Sequence, residues 1–135
     1  MSNGGGFTGL LACRLPGRIA AFAPVAGAFY PQSGPCTPPS HAALLDIHGS
    51  ADTVIPYTGT PAKGLPALPD WLAAWAKRDQ CGSSTSSTSG KVTHIKWQGC
   101  VLEHFKVDGL GHAWPSSGPD ATSEIRRFFS AHPKG

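Results

Sequence analysis

A serine, an aspartate and a histidine stand close to glycines at three separated places in this chain: Ser2 in MSNGGGF, Asp52 in HGSAD and His112 in GLGHAWP. Those residue types together can transfer acyl groups. A serine hydroxyl is a poor nucleophile until a base takes its proton. An imidazole can accept that proton and later return it to a leaving group, while a carboxylate fixes the imidazole's tautomer and orientation. Met1, Ser2, Asn3 and Gly4 also match all but the first glycine of G-x-S-x-G, the strained strand-to-helix turn that presents a nucleophilic serine. On this reading the backbone N–H of Asn3 donates to the oxyanion, and Gly4 and Gly5 spare a tight turn the Cβ atoms that would crowd it.

Each of these residues also has a plainer reading. The opening can be a flexible glycine-rich terminus, Asp52 an ordinary turn residue, and His112 a structural histidine. Asp46 is the nearest rival acid, but its place inside an apolar run points it sideways rather than toward a strand-end site. His48 reads as a structural residue at a strand end, and His41, His94, His104 and His132 as surface or strand-face residues. Trp114, beside His112, is a candidate wall of a substrate pocket, and a packing role is as ordinary for a tryptophan. Trp71 and Trp75 read as core.

The elements needed to position the three residues are legible as patterns. Phe7, Leu10 and Leu11 recur at helical spacing from Gly5 to Arg14, and Pro16 with Gly17 ends the run. IAAFAPVAG, Ile19 to Gly27, suits a strand buried on both faces, limited by Pro24 to its early half. FYPQSGPCTPPS reads as loop. Ala42 to His48 is a second buried-type strand that stops at Gly49, just before Asp52. Leu68, Trp71, Leu72 and Trp75 share one face of a helix punctuated by Pro69 and Gly82. Ser83 to Ser89 reads as a mobile surface loop. KVTHIKWQ and VLEHFKVDG, separated by Gly99 and Cys100, alternate as strands do and read as a hairpin or two neighbouring strands, and His112 follows the second. Ala121, Ile125, Phe128 and Phe129 mark one face of a closing helix with Asp120 as its N-cap. Helices alternating with buried-type strands predict an α/β layered fold, in which ligands sit beyond the carboxyl ends of strands.

Composition narrows the function classes. A chain of 135 residues predicts one domain, and 40% hydrophobic with 14% charged residues fits a packed core rather than a disordered segment. The net charge of +3 is scattered, with Arg126 and Arg127 the nearest thing to a cluster, so no nucleic-acid footprint is expected. No apolar run reaches membrane-spanning length, and no signal peptide is visible at Met1. Cys13, Cys36, Cys81 and Cys100 lack C-x-x-C spacing, which disfavours a structural zinc site. Their even number in a Ser/Thr/Gly-rich chain suggests disulfides and an oxidising compartment. Three connectivities are open. The favoured one pairs Cys13 with Cys36 and Cys81 with Cys100, closing two local loops, each worth ~3 kcal/mol in the chain-entropy model.

SNGGGFTGLLAC, HGSADTVIPY, GLGHAWP and ATSEIRRFF, in that order and spanning nearly the whole chain, resemble the secreted polyhydroxybutyrate depolymerase and feruloyl esterase family of α/β-hydrolases, in particular its fungal feruloyl esterases. The order serine, acid, histidine is also the chain order of α/β-hydrolases. The resemblance implies that Ser2, Asp52 and His112 occupy the triad positions of a secreted carboxylic ester hydrolase that needs no metal or cofactor. Feruloylated plant cell-wall polysaccharide is the implied substrate, with short polyesters or acetylated xylan as alternatives. It also implies an upstream half carrying the first strands of the sheet and a second oxyanion donor, so the chain is expected to be the carboxyl-terminal part of a three-layer, mostly parallel α/β-hydrolase domain. The competing expectation is a non-catalytic remnant that binds carbohydrate or a partner.

Overall fold

The computed structural model describes residues 1–31, 36 and 41–135. Most of the segment read as the FYPQSGPCTPPS loop therefore lies outside the described residues. The elements run α1 (Asn3–Arg14), β1 (Ala21–Phe22), β2 (Ala43–Gly49), α2 (Leu68–Arg78), β3 (Ser84–Ser89), β4 (Val92–Trp97), β5 (Leu102–Val107) and α3 (Ala121–Ala131). The strands form one sheet in the order β1-β2-β5-β4-β3. β2 lies between β1 and β5, parallel to both, whereas β4 is antiparallel to β5 and to β3. The sheet is thus mixed rather than mostly parallel.

Helices on both faces explain why β2 reads as a continuous apolar run: every one of its residues is buried. Successive side chains point to opposite faces. Leu45 and Ile47 pack with Phe105, Val107 and the α3 residues Ala121 and Phe128. Leu44 packs the other way, with Phe22, Leu102, Ala12 of α1 and Leu72 and Trp75 of α2. The result is three layers, α3 on one face and α1 with α2 on the other. On α3 the expected stripe is narrower than read: Phe128 is fully buried while Phe129 is 44% exposed. Asp120 occupies the N-cap position, but its carboxylate accepts the Ser123 hydroxyl at 2.6 Å instead of capping a backbone N–H.

The Ser83–Ser89 segment is a strand, not a mobile loop. β3 pairs along its whole length with β4, from Ser84 opposite Trp97 to Ser89 opposite Val92, around a turn at Gly90, whose φ is 59°. Both faces of β3 are exposed, so its sequence carries no alternation of apolar and polar residues; the backbone ladder holds it. Disulfides join Cys13 to Cys36 and Cys81 to Cys100, the second closing the base of the β3–β4 hairpin. Both are compatible with an oxidising, extracellular setting.

His94, Arg127 and Lys96 converge on Glu103 of β5, with Arg127 Nη2 and His94 Nε2 each 2.9 Å from Oε2 and Lys96 Nζ 3.8 Å from Oε1. Burial alone would raise this carboxyl, but the hydrogen bonds from His94 and Arg127 outweigh it and hold the group below its ordinary value of 4.5. A carboxyl lowered in the folded state contributes stability that is complete above the ordinary value and is lost as pH falls through the lowered one. Urea unfolding of the native chain and a Glu103→Gln variant is therefore expected to show a stability gap near neutral pH that closes as pH falls below the ordinary carboxylate range.

Candidate active site

Ser2 sits at the entry to α1 with φ 55° and ψ −123°, a left-handed conformation that an L residue holds only when its surroundings dictate it. Those surroundings are backbone. The Ser2 N–H donates to Val25 O at 3.0 Å, and Ser2 O accepts from Gly6 N–H at 3.0 Å and from Ala28 N–H at 3.2 Å. The 25–28 segment is itself fixed to β2, since Ala26 N–H donates to Ile47 O at 2.9 Å. The approach is close enough that glycine is required. A Cβ on Gly5 would lie 2.7 Å from Gly27 Cα, and one on Gly6 would overlap the Ala28 carbonyl. Gly4, expected to relieve crowding, faces open space. The glycine run is thus a helix face docked on a neighbouring segment, with its crowded positions one residue later than read.

Asp52 and His112 come from loops at the carboxyl ends of the neighbouring strands β2 and β5. These loops are bound together: Ser50 N–H donates to Val107 O at 2.9 Å, Ala51 N–H to Leu110 O at 3.0 Å, and the Ser50 hydroxyl to Asp108 Oδ1 at 2.9 Å. Gly49 permits the approach, because a Cβ there would overlap Leu110 O. The sequence marks Gly49 only as a strand end; the contact that requires it is with a residue far along the chain.

At the meeting point His112 Nε2 is 3.0 Å from Ser2 Oγ, and His112 Nδ1 is 2.8 Å from Asp52 Oδ2. The Asp52 side chain is fully buried, whereas His112 is 18% exposed. Asp52 Oδ1 also accepts the N–H groups of Val54 at 2.9 Å and Ile55 at 2.8 Å. Burial would raise the Asp52 carboxyl, but the hydrogen bond from His112 followed by those from Ile55 and Val54 holds it below its ordinary value. A carboxylate so held can keep the Nδ1 proton of His112 and leave Nε2 free to accept one from Ser2 Oγ. Asn3 opens α1, so its N–H has no partner within the helix and lies at the positive end of the helix dipole. That arrangement can stabilise an oxyanion forming at Ser2.

The remaining candidates fall elsewhere. Asp46 is fully buried beneath the site, with Oδ2 2.8 Å from His104 Nδ1. His104, read as a surface or strand-face residue, is itself fully buried, and its Nε2 meets the Tyr57 hydroxyl at 2.8 Å. Burial, then the neighbouring Asp46, pushes the Tyr57 hydroxyl up to about 12. Its protonated OH thus ties the Asp52 loop to β5, an arrangement no local sequence signal announces. Trp114 is 43% exposed and donates from Nε1 to Thr122 Oγ1 at 3.2 Å. A cavity of about 390 Å³ lies between α1 and α2, lined by Gly6, Phe29 and Trp71 among others, and Trp114 is outside it. Trp75 is buried as read, whereas Trp71 is only partly buried and stacks on Phe29 at 3.7 Å between ring centroids. Among the described residues no group of three or more His, Cys, Asp or Glu side chains could hold a metal ion.

No protein-family model matches the chain, and neither does any curated protein sequence. Its fold is similar to that in the crystal structure of esterase PE8, with a TM-score of 0.59 and 16% identity over 94% of this chain and 46% of that one. The chain therefore spans less than half of that esterase, and what the two share is a mixed-sheet α/β fold.

Proposed function

We propose that this chain carries the nucleophile, base and acid of a serine carboxylic ester hydrolase. The observation behind the reading is the unbroken line Ser2 Oγ, His112 Nε2, His112 Nδ1, Asp52 Oδ2, at 3.0 Å and 2.8 Å, with the serine on a strained turn at a helix start. Ser2 Oγ attacks the ester carbonyl carbon as its proton passes to His112 Nε2, and the oxyanion forms near the N–H of Asn3. Collapse breaks the ester C–O bond, the alcohol leaves with the proton from His112, and an acyl-serine remains. Water then repeats the sequence, with His112 taking its proton, and releases the acid and free Ser2.

The finer reading is a secreted feruloyl esterase acting on plant cell-wall polysaccharide. An amino-terminal half of the same enzyme is its partner and supplies the second oxyanion donor. The similarity to PE8 over 46% of that protein and the position of β1 at the sheet edge support the proposed amino-terminal half, while the feruloyl substrate rests on the sequence resemblance alone. Comparing hydrolysis of methyl ferulate, acetylated xylan and short polyesters distinguishes the substrates. For the reaction class, a fluorophosphonate probe is expected to add once to the chain, on Ser2, as read by peptide mass spectrometry. A folded chain that takes up no probe would instead favour a non-catalytic binding fragment.

A further inference from the structure

A second imidazole stands beside Asp52. His48 is the penultimate residue of β2, 1% exposed, and its Nε2 lies 2.8 Å from Ile55 O and 3.3 Å from Asp52 Oδ2. A carbonyl oxygen only accepts, so Nε2 carries the hydrogen and donates it to Ile55 O, with Asp52 Oδ2 a close neighbour of the same nitrogen. His48 Nδ1 is buried without a hydrogen-bond partner among the described residues. The ring's polar contacts are thus all directed at the loop that holds Asp52. A side chain needed only to fill this space would carry no polar atom here, since an unpaired buried nitrogen is costly.

The demand on the Asp52 side is equally specific. A buried carboxylate has about four acceptor positions. Val54 and Ile55 occupy Oδ1, and His112 occupies Oδ2 from the solvent side. We propose that His48 is a positioning residue for Asp52: its Nε2–H, donated to Ile55 O, fixes the residue whose backbone N–H holds Oδ1, while the same ring edge stands 3.3 Å from Oδ2. It thereby sets the direction in which Oδ2 meets His112. The inference rests on Asp52 and His112 being the acid and base proposed above.

The test combines a spectroscopic readout with a chemical one. In the native chain, proton NMR with labelled histidine is expected to show the His112 Nδ1 proton strongly downfield, as a hydrogen bond to a carboxylate requires. His48→Leu is expected to shift or broaden that signal and to slow fluorophosphonate labelling of Ser2 by about 10- to 100-fold, by analogy with the loss of outer partners that orient the ligands of metal sites. His48→Gln, whose amide reaches the Nε2 position, is expected to restore both; His48→Asn, whose shorter amide does not, is expected to restore neither. A folded His48→Leu chain with signal and labelling unchanged overturns the proposal. Where His48→Leu does not fold, equal behaviour of the Gln and Asn variants overturns it, as does the absence of the His112 signal from the native chain. A native chain that resists labelling but whose His112 signal responds to His48 refutes the proposed hydrolase and leaves the positioning role standing.

Discussion

Ser2→Ala is expected to eliminate covalent capture and to lower kcat on an activated aryl ester by about 10⁴-fold or more, with His112→Ala costing about as much and the double variant little more. The non-additivity follows from the geometry. Ser2 Oγ and His112 Nε2 are 3.0 Å apart, and in the proposed mechanism they act on one proton, so removing either ends the same transfer. Asp52→Asn tests the third member in a different way. An Asn amide in the buried Asp52 site can turn an N–H toward His112, which then presents the wrong tautomer to Ser2; a loss of about 10⁴-fold in kcat with little change in KM is expected. Independent contributions from Ser2 and His112, adding fully in the double variant, would mean that they do not share a proton. Steady-state kinetics on the two single variants and the double variant decide this.

How much of this was legible in the sequence depended on whether the determining contacts were local. β2 could be read because burial on both faces leaves an apolar run, and α2 because one buried stripe recurs at helical spacing. Asp52 and His112 could be placed because each follows a strand that the pattern revealed. β3 could not: its strand character comes from pairing with β4, and its exposed Ser and Thr side chains record none of it. The antiparallel β4–β5 pairing is legible as a hairpin across Gly99 and Cys100, whereas the mixed character of the whole sheet is not, since the direction of distant strands depends on connections that hydrophobic periodicity does not encode. His104 does lie on a strand face, one of the two places the sequence allows it, but nothing in LEHFKV says that the face is covered. Its partners Asp46 and Tyr57 stand far from it in sequence. Buried polar groups that meet only at long range are where reading by local pattern has least purchase.

The glycine run at the start of α1 gives the sharpest separation of two physical effects at neighbouring positions. Glycine inside a helix costs roughly 0.5–1 kcal/mol relative to alanine, so helix propensity alone predicts that any Gly→Ala change in α1 stabilises the chain. At Gly4 nothing opposes this, because an added Cβ meets open space. Gly4→Ala is accordingly expected to raise stability by about 0.5–1 kcal/mol and to leave Ser2 reactive. At Gly6 the added Cβ would overlap the Ala28 carbonyl, a backbone atom that cannot rotate away. Relief requires α1 to move off the 25–28 segment, and overpacking of this kind costs about 1–3 kcal/mol or more, which exceeds the propensity gain. The same movement pulls on the Ser2 carbonyl, which accepts from both Gly6 and Ala28 N–H and so helps hold the serine at its strained φ. Gly6→Ala is therefore expected to lower the unfolding midpoint and also to slow labelling of Ser2 in the molecules that remain folded, since the distance from Ser2 Oγ to His112 Nε2 depends on that anchor. Paired denaturant titrations and labelling rates for the two variants measure both effects. Equal stabilisation by Gly4→Ala and Gly6→Ala would show that α1 is free of the 25–28 segment and that the serine is held by something else.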